Sequence, residues 1–125
     1  CSEAIQDAKR NHSLFYNQKA FQVPAADICI EDIGFDWNWN GWDITFFVAE
    51  GHTNAGICFE IGSNLFTGDT LLKDLRTVTK LFCGSKEKLV VTINRIKRLQ
   101  GKGFYVYPGH GDGFDLDNYD LNKAL

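Results

Sequence analysis

The order of turns and apolar runs between residues 35 and 109 constrains this chain most. Asn40-Gly41 is a tight-turn signal, because both positions tolerate positive φ, and residues 44–49 that follow are rich in β-formers. Residues 57–61 and 65–67 are two short strands joined by Gly62-Ser63-Asn64, which predicts a second hairpin. Residues 85–100 then change period: Leu89, Ile93, Ile96 and Leu99 fall on one helical face, with Lys88, Arg95, Lys97 and Arg98 mostly on the other sides. Ser85 can cap that helix at its start and Gly101 at its end. Residues 104–107 form a short apolar strand closed by Pro108-Gly109. Strands, helix and strand in this order predict an α/β or α+β sheet with helical cover.

The flanks carry weaker signals. Residues 2–10 read as a short helix with Ser2 as N-cap and Ile5 and Ala8 on its apolar side, 13–26 as loop, and 28–33 as a strand. The tail 115–125 reads as a polar surface segment with at most one helical turn. Trp37 and Trp39 share a sheet face at period 2, and packing in an aromatic core is the preferred reading of the three tryptophans, Trp37, Trp39 and Trp42. With 125 residues, 44% of them hydrophobic and 14% aromatic, the chain is expected to be one domain over 1–125 with a sizeable core.

Composition also excludes partners. A formal net charge of −3 without a basic tract argues against nucleic acid or an anionic membrane surface. No run approaches the roughly 20 apolar residues of a membrane span, and no signal peptide is seen. The chain lacks Met and begins with Cys1, so a processed N-terminus or an excerpt of a longer protein is expected; lipidation of Cys1 is a further alternative. Cys1, Cys29, Cys58 and Cys83 form no CxxC pair, and Cys29 and Cys58 sit in apolar runs as expected core residues. A reducing cytoplasmic location is the mild expectation.

Three segments carry candidate chemistry: Glu50-Gly51-His52-Thr53, Phe66-Thr67-Gly68-Asp69-Thr70 and Tyr107-Pro108-Gly109-His110-Gly111. Each sets a His or Asp in a glycine-bearing loop beside an apolar strand, a rigid platform that a backbone can close around an ion. A His/Asp/His set suits zinc, manganese or iron. Each residue alone also fits an ordinary polar loop, and the three together are what points to a site.

In order and spacing these segments resemble the last three motifs of the metallo-β-lactamase superfamily, nearest in flavour to glyoxalase II-like hydrolases. The resemblance is firmest over residues 44–113. It implies an α+β fold: half of the αβ/βα sandwich, a mixed β-sheet covered by helices on one face. It implies that His52 ligates a first metal, that Asp69 bridges two metals as the catalytic carboxylate, and that His110 ligates the second. In that family two zinc ions, with iron or manganese as alternatives, polarise a scissile carbonyl or phosphoryl group and bring the pKa of a bridging water near neutral. The expected partner is a small-molecule substrate, a thioester, phosphodiester or similar ester. Thr53 and Thr70 could supply hydrogen bonds to the ligands, ordinary turn packing being the preferred reading of both.

The chain departs from the family pattern in three places. The upstream His-x-His-x-Asp-His motif is absent, and the remaining histidine, His12, stands in Arg10-Asn11-His12-Ser13 as an expected exposed helix-end residue. The family often has Pro-Gly after the His-Thr pair, where this chain has Asn54-Ala55-Gly56. Leu72-Lys73-Asp74-Leu75-Arg76 lacks the Gly-Arg-rich stretch of many relatives. One His per metal plus a bridge is too few for a catalytic zinc site, so the chain alone is expected to be inactive, with no bound metal as the alternative to zinc. Three readings stand. The chain is the C-terminal half of a di-metal hydrolase; it is a half-domain that associates with itself or a missing N-terminal half through an open sheet face; or two copies pool their His/Asp/His sets.

Overall fold

The structure is a computed structural model and describes residues 27–28, 30 and 34–125. The expected helix at 2–10, the loop at 13–26, His12 and Cys29 lie outside the described residues, as does most of the expected strand at 28–33.

Six strands form one mixed sheet in the order β1-β2-β3-β4-β5-β6. They are β1 (Phe35–Trp39), β2 (Trp42–Val48), β3 (Ile57–Ile61), β4 (Asn64–Gly68), β5 (Tyr105–Pro108) and β6 (Phe114–Asp115). All neighbours are antiparallel except β4 and β5, which are parallel. A parallel pair cannot be joined by a hairpin, and the helix α1 (Lys86–Lys97) lies in its connection. The Asn40-Gly41 turn takes φ of 55° and 86°, as its two residue types allow.

Register decides which side chains share a face, because direct cross-strand partners point the same way and neighbours along a strand alternate. Phe47 pairs with Cys58, Leu65 with Val106, and Val106 with Phe114. These five residues pack with Leu89, Ile93 and Ile96 of α1 into the core. The Ser85 side chain accepts from the Lys88 N–H, as an N-cap should. The helix ends sooner than expected: its C-cap is Arg98, whose N–H donates to the Arg95 carbonyl while the Leu99 N–H donates to that of Ile96. Gly101 follows a further turn at φ 80°.

The tail corrects the surface reading. Residues 121–124 form a 3-10 turn, and Leu116, Leu121 and Ala124 are buried in the core with Phe114. Their spacing is too irregular to show a period, so only the packed chain reveals them as core. The tryptophans are corrected too. Trp37, Trp39 and Trp42 are 44%, 58% and 62% exposed, and Trp39 pairs directly with Trp42. They lie on the sheet face opposite α1.

That opposite face carries a continuous aromatic ladder. Phe35, Phe46, Phe59, Phe66 and Tyr107 are successive cross-strand partners from β1 to β5. Their ring centroids are 6.2, 5.5, 4.6 and 5.1 Å apart, with Phe59 and Phe66 stacked at 9°. Both described helical elements pack on the other side. Among the described residues no helix is long and apolar enough to cross a membrane.

Candidate metal centre

The three candidate residues stand on loops at one end of the sheet. His52 follows β2, Asp69 follows β4, and His110 follows β5. Because β4 and β5 are parallel neighbours, their C-terminal ends bring Asp69 and His110 side by side. Sequence separation hides this closeness; the parallel pairing supplies it.

Two glycines permit the approach. A Cβ on Gly109 would stand 2.6 Å from Asp69 Oδ1, so a side chain there would displace the carboxylate. The Gly109 N–H also donates to the Gly68 carbonyl at 2.9 Å, tying the two loops together. Gly51, at φ 141°, lies where a Cβ would meet the Leu89 backbone at 2.6 Å. The loop before His52 is thereby pressed against the first turns of α1.

Asp69 is the centre of the arrangement. Its Oδ1 lies 2.7 Å from His110 Nδ1, and its Oδ2 lies 3.8 Å from His52 Nε2. His52 Nδ1 is 2.8 Å from the Val78 carbonyl. A carbonyl oxygen only accepts, so Nδ1 carries a proton, and in the Nδ1–H tautomer the Nε2 lone pair faces Asp69. By the same logic His110 Nδ1 donates to the carboxylate and its Nε2 stays available. The His110 side chain is 76% exposed, whereas those of His52 and Asp69 are 23% and 35% exposed.

The facing pair tests the donor set against a metal ion. An imidazole lone pair and a carboxylate oxygen are both electron-rich, and 3.8 Å is too long for a direct hydrogen bond. Two ligands each about 2.1 Å from a shared tetrahedral ion stand about 3.4 Å apart. The residue types and this spacing suit a divalent cation held between His52 and Asp69. The set is nevertheless partial: among the described residues no three His, Cys, Asp or Glu side chains converge as a metal-holding group. His110 reaches Asp69 by direct contact, and its other nitrogen looks outward.

Buried threonines brace these loops. Thr67, Thr70, Thr77 and Thr92 are the buried polar residues of the described chain, and each hydroxyl donates to a backbone carbonyl. Thr70 reaches Ala49 at 3.2 Å and Thr92 reaches Glu50 at 2.7 Å, both just ahead of His52. Thr67 reaches Leu71 at 2.8 Å, just past Asp69. Thr70 therefore holds the loop that carries His52, while the Thr53 hydroxyl accepts from the Ala55 N–H in a local turn. The Val78 carbonyl and Thr77 were not singled out from sequence; a carbonyl has no residue signature, and Thr77 lies in a stretch without period. A cleft of about 390 Å³ runs beside Val78, lined also by Arg76, Lys80, Lys86, Leu89 and Leu125. The three candidate residues do not line it.

No family profile matches the chain. It is 34% identical over 86 residues to the probable polyketide biosynthesis zinc-dependent hydrolase BaeB of Bacillus velezensis, a match covering 69% of this chain and 38% of that protein. Among solved structures it is similar to the BLEG-1 B3 metallo-beta-lactamase, with TM-score 0.70 and 18% identity over 84% of this chain and 51% of that one. It is also similar to TTHA1623 in a di-iron-bound form, with TM-score 0.67 and 20% identity over 90% of this chain and 55% of that one. The chain thus spans well under half of the curated relative it matches and about half of each solved neighbour.

Proposed function

We propose that this chain, which has half of the fold of metallo-β-lactamase structures and is similar in sequence to a probable zinc-dependent hydrolase, supplies one half of the metal centre of a metal-dependent hydrolase acting on a thioester, phosphodiester or similar ester. The observation that carries this reading is Asp69 set between two imidazoles, with an imidazole lone pair and a carboxylate oxygen facing each other at 3.8 Å. His52 would hold one ion, His110 a second, and Asp69 would bridge them. Zinc suits this set; iron or manganese fits the same donors. When bound, such ions supply Lewis acidity that polarises the scissile group and acidifies water.

The chain's own residues do the positioning. The Val78 carbonyl fixes the His52 tautomer, and Gly109 clears the space in which Asp69 meets His110. The remaining ligands come from a segment with the fold's other half, so the chain alone does not hydrolyse ester substrates. Elemental analysis of the 125-residue chain purified without chelator tests this. About one zinc, iron or manganese per chain, lost in His52→Ala and in Asp69→Ala, supports the reading. A metal-free chain that also stays metal-free with the upstream half present overturns it.

A second reading rests on the aromatic ladder. Its rings lie on the sheet face opposite α1, continuous with the exposed tryptophans. An apolar face of this kind drives association, either with the fold's other half or with a second copy. A monodisperse monomer at micromolar concentration in sedimentation would count against self-association.

A further inference from the structure

The structure assigns Thr77 the role of positioning residue for His52. Thr77 is 4% exposed. Its hydroxyl donates to the Thr70 carbonyl at 2.8 Å, next to Asp69, and its N–H donates to the Ala124 carbonyl at 3.0 Å. The following residue, Val78, offers the carbonyl that accepts the hydrogen bond from His52 Nδ1 at 2.8 Å. Thr77 thus fastens the His52 acceptor to the Asp69 loop on one side and to the C-terminal core on the other.

The same strap is held further along. A Cβ on Gly84 would stand 2.4 Å from the Thr79 carbonyl oxygen and 3.1 Å from that of His52. The Ser85 N–H donates to the Gly51 carbonyl at 2.9 Å. Residues 77–85 therefore wrap the back of His52, and the Thr77 hydroxyl is the link from this wrap to the Asp69 turn. Val78 is itself 54% exposed, so its side chain contributes little to holding the carbonyl in place. The lone pair of His52 Nε2 faces Asp69 only while Nδ1 keeps its proton and donates it in a hydrogen bond to the Val78 carbonyl.

This inference builds on the reading of His52 as a metal donor, but its test does not need metal or turnover. Histidine ring nitrogens of the metal-free 125-residue chain are observed by ¹⁵N–¹H correlation above the imidazole titration range, and His52 is assigned by single His substitutions. The native chain should show His52 mainly as the Nδ1–H tautomer, and Thr77→Ser should retain it. Thr77→Val, which keeps the shape and removes the hydroxyl, should shift the tautomer ratio about fivefold toward Nε2–H. A purely structural role would lower thermal stability and leave the tautomer unchanged, and that result overturns the assignment. If Thr77→Val does not fold, Thr77→Ala is read in the same way. A native chain with His52 mainly Nε2–H overturns the assignment without any variant.

Discussion

Asp69 and His110, separated by 41 positions along the chain, meet at 2.7 Å between Oδ1 and Nδ1. The contact exists because β4 and β5 lie parallel and end together, and because Gly109 has no side chain to push the carboxylate aside. It uses one carboxylate oxygen and leaves the other facing His52. Several measurements bear on this geometry.

Gly109→Ala is predicted to separate Asp69 from His110 without left-handed strain, because Gly109 has no positive φ, although its Cβ also presses on the Gly68 carbonyl carbon at 3.0 Å. Metal affinity in a chelator competition should fall about tenfold, in the range of lost ligand-orienting contacts. Thermal unfolding should change far less than affinity. Unchanged affinity would show that the Asp69–His110 contact does not organise the donors.

Asp69→Asn keeps the shape and removes the charge that both imidazoles face. On the proposed function, metal affinity should fall by more than about a hundredfold, since the variant removes a proposed ligand rather than a group that orients one. Folding should be nearly unaffected, because the Asp69 side chain is about one-third exposed. Retained stoichiometric metal in this variant would remove Asp69 from the centre.

Ile96→Ala tests the packing of α1 against the sheet. Ile96 is fully buried in the core cluster, and truncation of such a residue costs about 2–5 kcal/mol. Urea unfolding should show that loss. A cost below about 1 kcal/mol would mean that α1 is not anchored as described.

Burial pushes the Cys58 thiol up to about 12, with the nearby Arg95 charge opposing it. The folded state therefore holds this proton more tightly than the unfolded chain, whose thiol sits near 9. The stabilising contribution is complete below pH 9 and is lost as pH rises from there toward about 12. Cys58→Ala should be less stable at neutral pH because of the cavity it leaves, yet should lose stability less steeply across that alkaline range. Parallel pH profiles in urea titrations would exclude Cys58 as a source of alkaline sensitivity.

The exposed tryptophans give a last expectation. If the ladder face self-associates, Trp39→Ser and Phe59→Ser should each shift sedimentation toward monomer. Trp39 is on the rim at 58% exposure, whereas Phe59 stacks on Phe66 near the centre, so Phe59→Ser should act more strongly. Equal sedimentation of native chain and both variants would leave the face without a second-copy role.

Much of the architecture was legible in the residues. Asn40-Gly41 marked a turn that the backbone adopts, and the Leu89, Ile93 and Ile96 spacing marked the buried side of α1. The Gly-Asp and Gly-His dipeptides marked loops that the fold gathers at one sheet end. The buried tail was not legible, because Leu116, Leu121 and Ala124 enter the core from β6 and a 3-10 turn, which share no period. The tryptophans misled because their hydrophobicity says that they seek cover, but not whether this chain provides it.

Local chemistry is written residue by residue and can be read directly from the chain: turn residues, helix cap, apolar periods, and the donor types of His52, Asp69 and His110. Distances across the chain are not written that way. Folding alone sets Asp69 between the two histidines, brings the Val78 carbonyl to His52 Nδ1, and turns four threonine hydroxyls onto the loop carbonyls. Those relations arise from strand register and from a parallel crossover, which bring together groups that no local pattern connects.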